Sequence, residues 1–156
     1  MSSWKHLNRQ QVGAYAEYYV KMEFTRAGFQ VFSTEVDDRG IDFVAKHEKG
    51  KYFSVQVKSI RGTGYVFMAK EHFEPAPDLY VAIAVFEEEE NRPSLFLVPS
   101  EAWLTPTPAL VDRDYEGLRS KPEFGVNLSS KHMKGELTQY EFAKSLERLR
   151  SSGKKS

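Results

Sequence analysis

The stretch Gly40–Lys58 constrains this chain most. It reads Gly-Ile-Asp-Phe-Val-Ala-Lys, then His47-Glu48-Lys49-Gly50, then Lys-Tyr-Phe-Ser-Val-Gln-Val-Lys. Two arms rich in β-branched and aromatic residues around a glycine-containing turn predict a β-hairpin. Strand side chains alternate between faces. Phe53, Val55 and Val57 therefore share one face of the second arm, and Tyr52, Ser54, Gln56 and Lys58 the other. On the first arm Ile41 and Phe43 oppose Asp42 in the same way. If the apolar faces enter one core, an acid, an amide and a lysine meet on the opposite face of adjacent strands.

A chain of 156 residues can bury one domain-sized core but hardly two. The expected organisation is a single domain over residues 1–150 with a short flexible tail, 151–156. With no cysteine, disulfides and thiolate metal sites are excluded. No apolar run reaches membrane-spanning length and no signal-peptide core opens the chain, so a cytoplasmic protein without a membrane partner is expected. The formal net charge of zero counts against a uniformly basic nucleic-acid binder. Charge is nevertheless uneven: residues 131–156 carry seven Lys/Arg against three Glu, and Glu87–Glu90 is an acidic run. Local charge, more than the sum, steers a polyanion.

Residues 8–28 predict a helix. Asn8 and Gln11 form a capping-box pattern, Gly28 supplies the stop, and Val12, Ala16, Tyr19, Val20, Phe24 and Ala27 recur at helical spacing. Gln30–Ser33 predicts a short strand, and Asp37-Asp38-Arg39-Gly40 a turn into the hairpin. Ser59–Gly64 reads as a loop, Tyr65–Met68 as a strand, and Lys70–Phe73 as a helical turn closed by Pro75 and Pro77. The run Leu79–Phe86 is continuously apolar, as for a strand covered on both faces. Ser94–Val98 predicts its antiparallel neighbour, and Ser100 a cap for a short helix, Glu101–Leu104. Residues 105–123 read as weakly ordered, Phe124–Leu128 as a last strand. Thr138 with Glu141 predicts a second capping box, opening a helix to about Arg150 with Phe142, Leu146 and Leu149 inward. This order predicts an α/β fold, a mixed sheet with helices packed on it.

Asp42 followed by Gln56-Val57-Lys58 resembles the signature of the PD-(D/E)XK nuclease superfamily. There an Asp lies on the second strand of a β-meander and a (Glu/Asp/Gln)-x-Lys on the third. Gly13 and Glu17 on the first helix are similar in spacing to a Gly-x-x-x-Glu of several branches, the archaeal Holliday-junction resolvases among them. The resemblance covers roughly residues 10–86 and implies a restriction-endonuclease-like fold with an α-β-β-β-α-β core. Most of the superfamily has an acid where this chain has Gln56. A group of homing endonucleases is similar to it in using Gln.

The resemblance implies a Mg²⁺- or Mn²⁺-dependent endonuclease acting on DNA, with catalytic residues Glu17, Asp42, Gln56 and Lys58. Phosphodiester hydrolysis needs an activated water and a stabilised leaving oxygen. A divalent cation on hard oxygen ligands supplies both. Asp42 is the direct ligand, Gln56 a weaker neutral one, and Glu17 a further ligand or one acting through water. Lys58 can orient the water and offset phosphorane charge. With Gln56 in place of an acid, one metal site is expected rather than two. Plainer readings exist. Asp42 can be a turn-end acid, Gln56 and Lys58 solvated strand residues, and Glu17 the i,i+4 partner of Lys21. The second functional reading is a catalytically weak or inactive member of the fold that binds nucleic acid or a protein. By resemblance a homodimer is a candidate assembly.

Overall fold

Asn8 opens the first helix as its sequence predicts. Its side chain accepts from Gln11 N and its own N–H donates to Gln11 Oε1, both at 2.8 Å. The computed structural model describes residues 4–36 and 40–153, so the Asp37–Arg39 turn expected from sequence lies outside the described residues. Helix α1 spans Arg9–Arg26, and Gly28 at φ +91° follows its end. The strands are β1 (Gln30–Ser33), β2 (Phe43–Lys46), β3 (Tyr52–Arg61), β4 (Tyr65–Ala69), β5 (Leu79–Phe86), β6 (Ser94–Pro99), β7 (Leu110–Arg113) and β8 (Glu123–Asn127). Helix α2 spans Lys131–Glu136 and α3 Phe142–Gly153. Among the described residues, no helix is long and apolar enough to cross a membrane.

The strands form two sheets, one of five in the order β1-β2-β3-β5-β6 and one of three in the order β4-β8-β7. The predicted hairpin is present, with Phe43 opposite Val55 and Lys46 opposite Tyr52. Strands β3 and β5 run parallel, from Ser54 against Leu79 to Arg61 against Phe86. Ser59–Arg61, read from sequence as the start of a loop, therefore continues the strand. The link between β3 and β5 holds β4 and one 3₁₀ turn, Lys70–His72.

Each face of the five-stranded sheet has its own cover. On one, Val20 and Phe24 of α1 and Leu146 of α3 pack on Phe43, Ala45, Phe53, Val55, Ala82 and Leu97. On the other, Met68, Leu110, Phe124 and Val126 of the small sheet meet Ile60, Val81, Ile83, Val85 and Val98. The molecule is thus layered as helices, sheet, sheet. Trp103 is fully buried in the second layer, donating its indole N–H to Gly125 O at 2.8 Å.

Three local expectations are corrected. Residues 105–123 are not featureless, because Leu110–Arg113 pairs with β8. Ser100 does not cap the 3₁₀ segment Ser100–Leu104. Its buried hydroxyl instead takes Ala76 N–H at 2.8 Å and donates to Ala76 O at 2.9 Å, pinning the end of the crossover. Thr138 lies inside a 3₁₀ turn, Leu137–Tyr140, so α3 starts at Phe142 rather than from a box at Thr138.

Phe24 joins α1 to the residue just before β1 and to β2, β3 and α3. It is wholly buried, and its ring lies 4.9 Å from Phe142, 5.4 Å from Phe29, 5.7 Å from Phe43 and 5.8 Å from Phe53. Phe24→Ala should cost about 3–5 kcal/mol in urea unfolding. A loss below about 1 kcal/mol would mean that these layers do not depend on that ring.

Candidate active site

The face of β3 that carries Ser54, Gln56, Lys58 and Ile60 is the one turned toward the small sheet. Ile60 is buried there with Val81, Ile83 and Val85 of β5. Gln56 and Lys58 lie beside Val81 and Ile83 in the register, yet are polar. A cleft of about 960 Å³ opens at this polar stretch, lined by residues of both sheets. Asp42, Gln56 and Lys58 all line it, together with Gly40, Arg9 and Gly13.

Asp42 precedes β2 but is held in its line, since its N–H donates to Val55 O at 2.9 Å. Its carboxylate Oδ2 accepts the Val57 N–H at 2.7 Å. One acid thus serves the backbone of β3 between Gln56 and Lys58 while facing the cleft. Gln56 is 9 % exposed. Gly40, at φ +74°, approaches it so closely that a Cβ there would stand 3.1 Å from Gln56 Nε2. The left-handed φ favours glycine, and a Cβ there would also crowd the Gln56 amide.

Glu17 is placed differently. Its carboxylate pairs with Lys21 at 3.0 Å, and it is not among the residues lining the cleft. Lys21 also bonds Ser33 Oγ at 3.3 Å, tying α1 to β1. Among the described residues, no three Asp, Glu or His side chains converge as a metal cluster. The oxygen donors at hand are the Asp42 carboxylate and the Gln56 amide, a set whose hardness suits Mg²⁺ or Mn²⁺.

Sequence reasoning missed the part of the cleft that comes from the small sheet. Tyr65, Phe67, Arg113, Tyr115 and Glu123 line it, and so does His72. Tyr65 donates a short hydrogen bond to Glu123, and Arg113 lies 4.3 Å over the Tyr65 ring. Burial first, then the Glu123 carboxylate, raise the Tyr65 hydroxyl far above the usual tyrosine range, so it stays a neutral donor. No spacing along the chain announces this group, because β4 and β8 lie far apart in sequence.

No family model matches the chain, and no curated protein matches it. Solved structures do. The bacterial homing endonuclease I-Ssp6803I is similar at TM-score 0.60 and 17% identity, covering 96% of this chain and 99% of that one. The fold is restriction-endonuclease-like. The Holliday junction resolvase Hjc of Archaeoglobus fulgidus is similar at TM-score 0.47 and 17% identity, over 72% of this chain and 88% of that one. The restriction-endonuclease-like fold expected from Asp42 and Gln56-x-Lys58 is the fold observed. Its helical connection is reduced to the one 3₁₀ turn after β4.

Asp42 has a structural duty separable from its charge. Asp42→Ala should orphan the part-buried Val57 N–H and cost about 1–3 kcal/mol. Asp42→Asn keeps an acceptor oxygen and should cost less than about 1 kcal/mol. Urea unfolding and exchange of the Val57 amide read both; equal losses would put the acid's structural role elsewhere.

Proposed function

We propose that the protein is a divalent-metal-dependent nuclease that hydrolyses DNA phosphodiester bonds at Asp42, Gln56 and Lys58. The observation that carries this reading is the convergence of that acid, amide and lysine in one cleft of a restriction-endonuclease-like fold. Arg9, Lys58 and Arg113 line the same cleft, which suits a polyanionic substrate.

A cation would be held by Asp42 and Gln56. Bound there, it would supply Lewis-acid activation of the phosphodiester and of water. The protein's own groups do the rest. The Val57 N–H fixes the Asp42 carboxylate, so it does not need to reorganise when a cation or substrate arrives. Lys58, two residues beyond Gln56 on the same strand face, brings a point charge to the negative charge that grows on the phosphorane. Glu17, one helical turn beyond Gly13 of the cleft wall, would reach the cation only through water. One such site cuts one strand, so cleavage of both strands would use a homodimer. We place this activity in the cytoplasm.

The test is cleavage of plasmid, linear, single-stranded and four-way-junction DNA with Mg²⁺, Mn²⁺ or EDTA. Metal-dependent cutting should fall at least about 100-fold in Asp42→Asn and Lys58→Ala, each checked for folding. Cutting that survives in both would exclude this site. A folded protein that binds DNA without cutting it would support a second reading, a binding module. Gln56 in place of an acid and the zero net charge favour that alternative.

With Asp42 as the direct acid ligand and Gln56 as a neutral one, one weak metal site is expected. Calorimetric titration with Mg²⁺ is expected to fit one site, tightened severalfold by Gln56→Glu. Two tight sites in the unaltered protein would overturn the one-metal form.

A further inference from the structure

The outer face of the small sheet is built around one guanidinium. Arg113 and Glu123 stand opposite each other across β7 and β8. Tyr65 of β4 leans over the central strand to reach Glu123, and it can do so only because residue 125 is glycine. A Cβ at Gly125 would stand 2.2 Å from the Tyr65 hydroxyl oxygen. Glu123 is 8 % exposed, an acid placed where acids are rarely found, and the Tyr65 hydroxyl bonds it. The Tyr65 ring then carries the Arg113 guanidinium on its face at 4.3 Å. The Tyr115 side chain meets the guanidinium too, from a backbone at φ +52° that side-chain-bearing residues seldom adopt. Gly125 makes room for the Tyr65 ring, Glu123 holds its hydroxyl, and that ring together with Tyr115 supports Arg113. Arg113 lines the cleft that holds Asp42, Gln56 and Lys58.

We infer that Arg113 is a preorganised phosphate-binding group, and that the outer face of β4-β8-β7 is the wall on which a nucleic-acid strand lies beside Lys58. The inference rests on the nuclease reading and adds to it the surface that holds the strand. A planar, rigidly held guanidinium offers paired donors to phosphate oxygens, and stacking on tyrosine leaves its edge available for them. Phe67, on the same face and half exposed, extends the wall with an apolar surface that the sugar-phosphate strand can pass over. A phosphate contact adds affinity without reading sequence. The wall therefore predicts binding that is strongly salt-dependent and similar for different sequences.

The test is binding of fluorescein-labelled DNA by anisotropy, in EDTA so that nothing is cut, from 50 to 300 mM salt. Neutralising one phosphate contributes about one unit to the slope of log K against log salt. Arg113→Ala should lower that slope by about one and weaken binding roughly tenfold at low salt, equally for unrelated sequences. Arg113→Lys should keep the slope and recover only part of the affinity, because the charge remains and the planar fork is lost. Arg92→Ala, in the exposed turn between β5 and β6, should change neither. An arginine with a purely structural role would alter the melting temperature and leave the salt slope as it was. Unchanged slope and affinity in Arg113→Ala, with the unaltered protein binding DNA, would overturn this inference alone. An unaltered protein that binds no DNA would overturn this inference too, while the nuclease reading would stand or fall with the metal-dependent cleavage assay.

Discussion

The parallel ladder between β3 and β5 is the constraint from which the rest follows. It runs unbroken from Ser54 against Leu79 to Arg61 against Phe86. Parallel neighbours cannot be joined by a tight turn, so the chain must leave the end of β3 and cross back to the start of β5. In this molecule the crossover carries a strand, β4, rather than a full helix. A strand laid outside the sheet has unmet backbone donors and acceptors. It finds β8 as its partner, and β7 joins on the far side of β8. The small sheet is therefore a consequence of how the crossover is built. Beside its position over β5 and β6, the cleft opens at the polar stretch of β3.

The ladder also explains why the site residues sit where they do. Asp42 lies just outside β2, where the hairpin register would next pair it with Gln56. It compensates through its carboxylate, which takes the Val57 N–H. The same carboxylate is the one acid of the Asp42–Gln56–Lys58 group, so on the proposed reading fold and chemistry share one side chain. On that reading asparagine would meet the backbone's need but not the need for charge.

The parts legible in sequence are those whose signals are local. The capping box at Asn8 and Gln11, the stop at Gly28, the alternation on either side of His47–Gly50, and the apolar run Leu79–Phe86 each report contacts within a few residues or a uniform burial. The candidate site was legible to the same extent, because Asp42, Gln56 and Lys58 lie on one hairpin. Glu17 shows the limit. Its spacing from Gly13 matched a nuclease pattern and its spacing from Lys21 matched a helix ion pair, and only the second is met by a contact. The small sheet was illegible for a physical reason. Leu110–Arg113 is too short to alternate convincingly, and Gly125 reads as a strand-weakening residue until the Tyr65 ring is seen lying on it. Ser100 has the residue type of a cap, but the backbone groups it satisfies belong to Ala76, beyond the reach of any local pattern.

Charge behaves in the same way. The zero net charge argued against a nucleic-acid ligand, and the basic C-terminal segment argued mildly for one. Neither argument survives inspection of where the charges go. Lys134 pairs with Glu87, joining the basic segment to the acidic run. Arg150 donates to Ala27 O at 2.7 Å, at the C-terminal end of α1 where carbonyls lack helical partners, and Arg148 donates to Gln139 O at 2.7 Å. Lys144 donates to Thr138 O at 3.2 Å. These cations hold helices and turns together, which accounts for much of the C-terminal excess. Arg9, Lys58 and Arg113 come from three distant parts of the chain and meet in the cleft. On the proposed reading, whether a neutral chain can draw in a polyanion depends on which cations line the site rather than on their sum, and Arg9, Lys58 and Arg113 line the cleft that Asp42 and Gln56 also line.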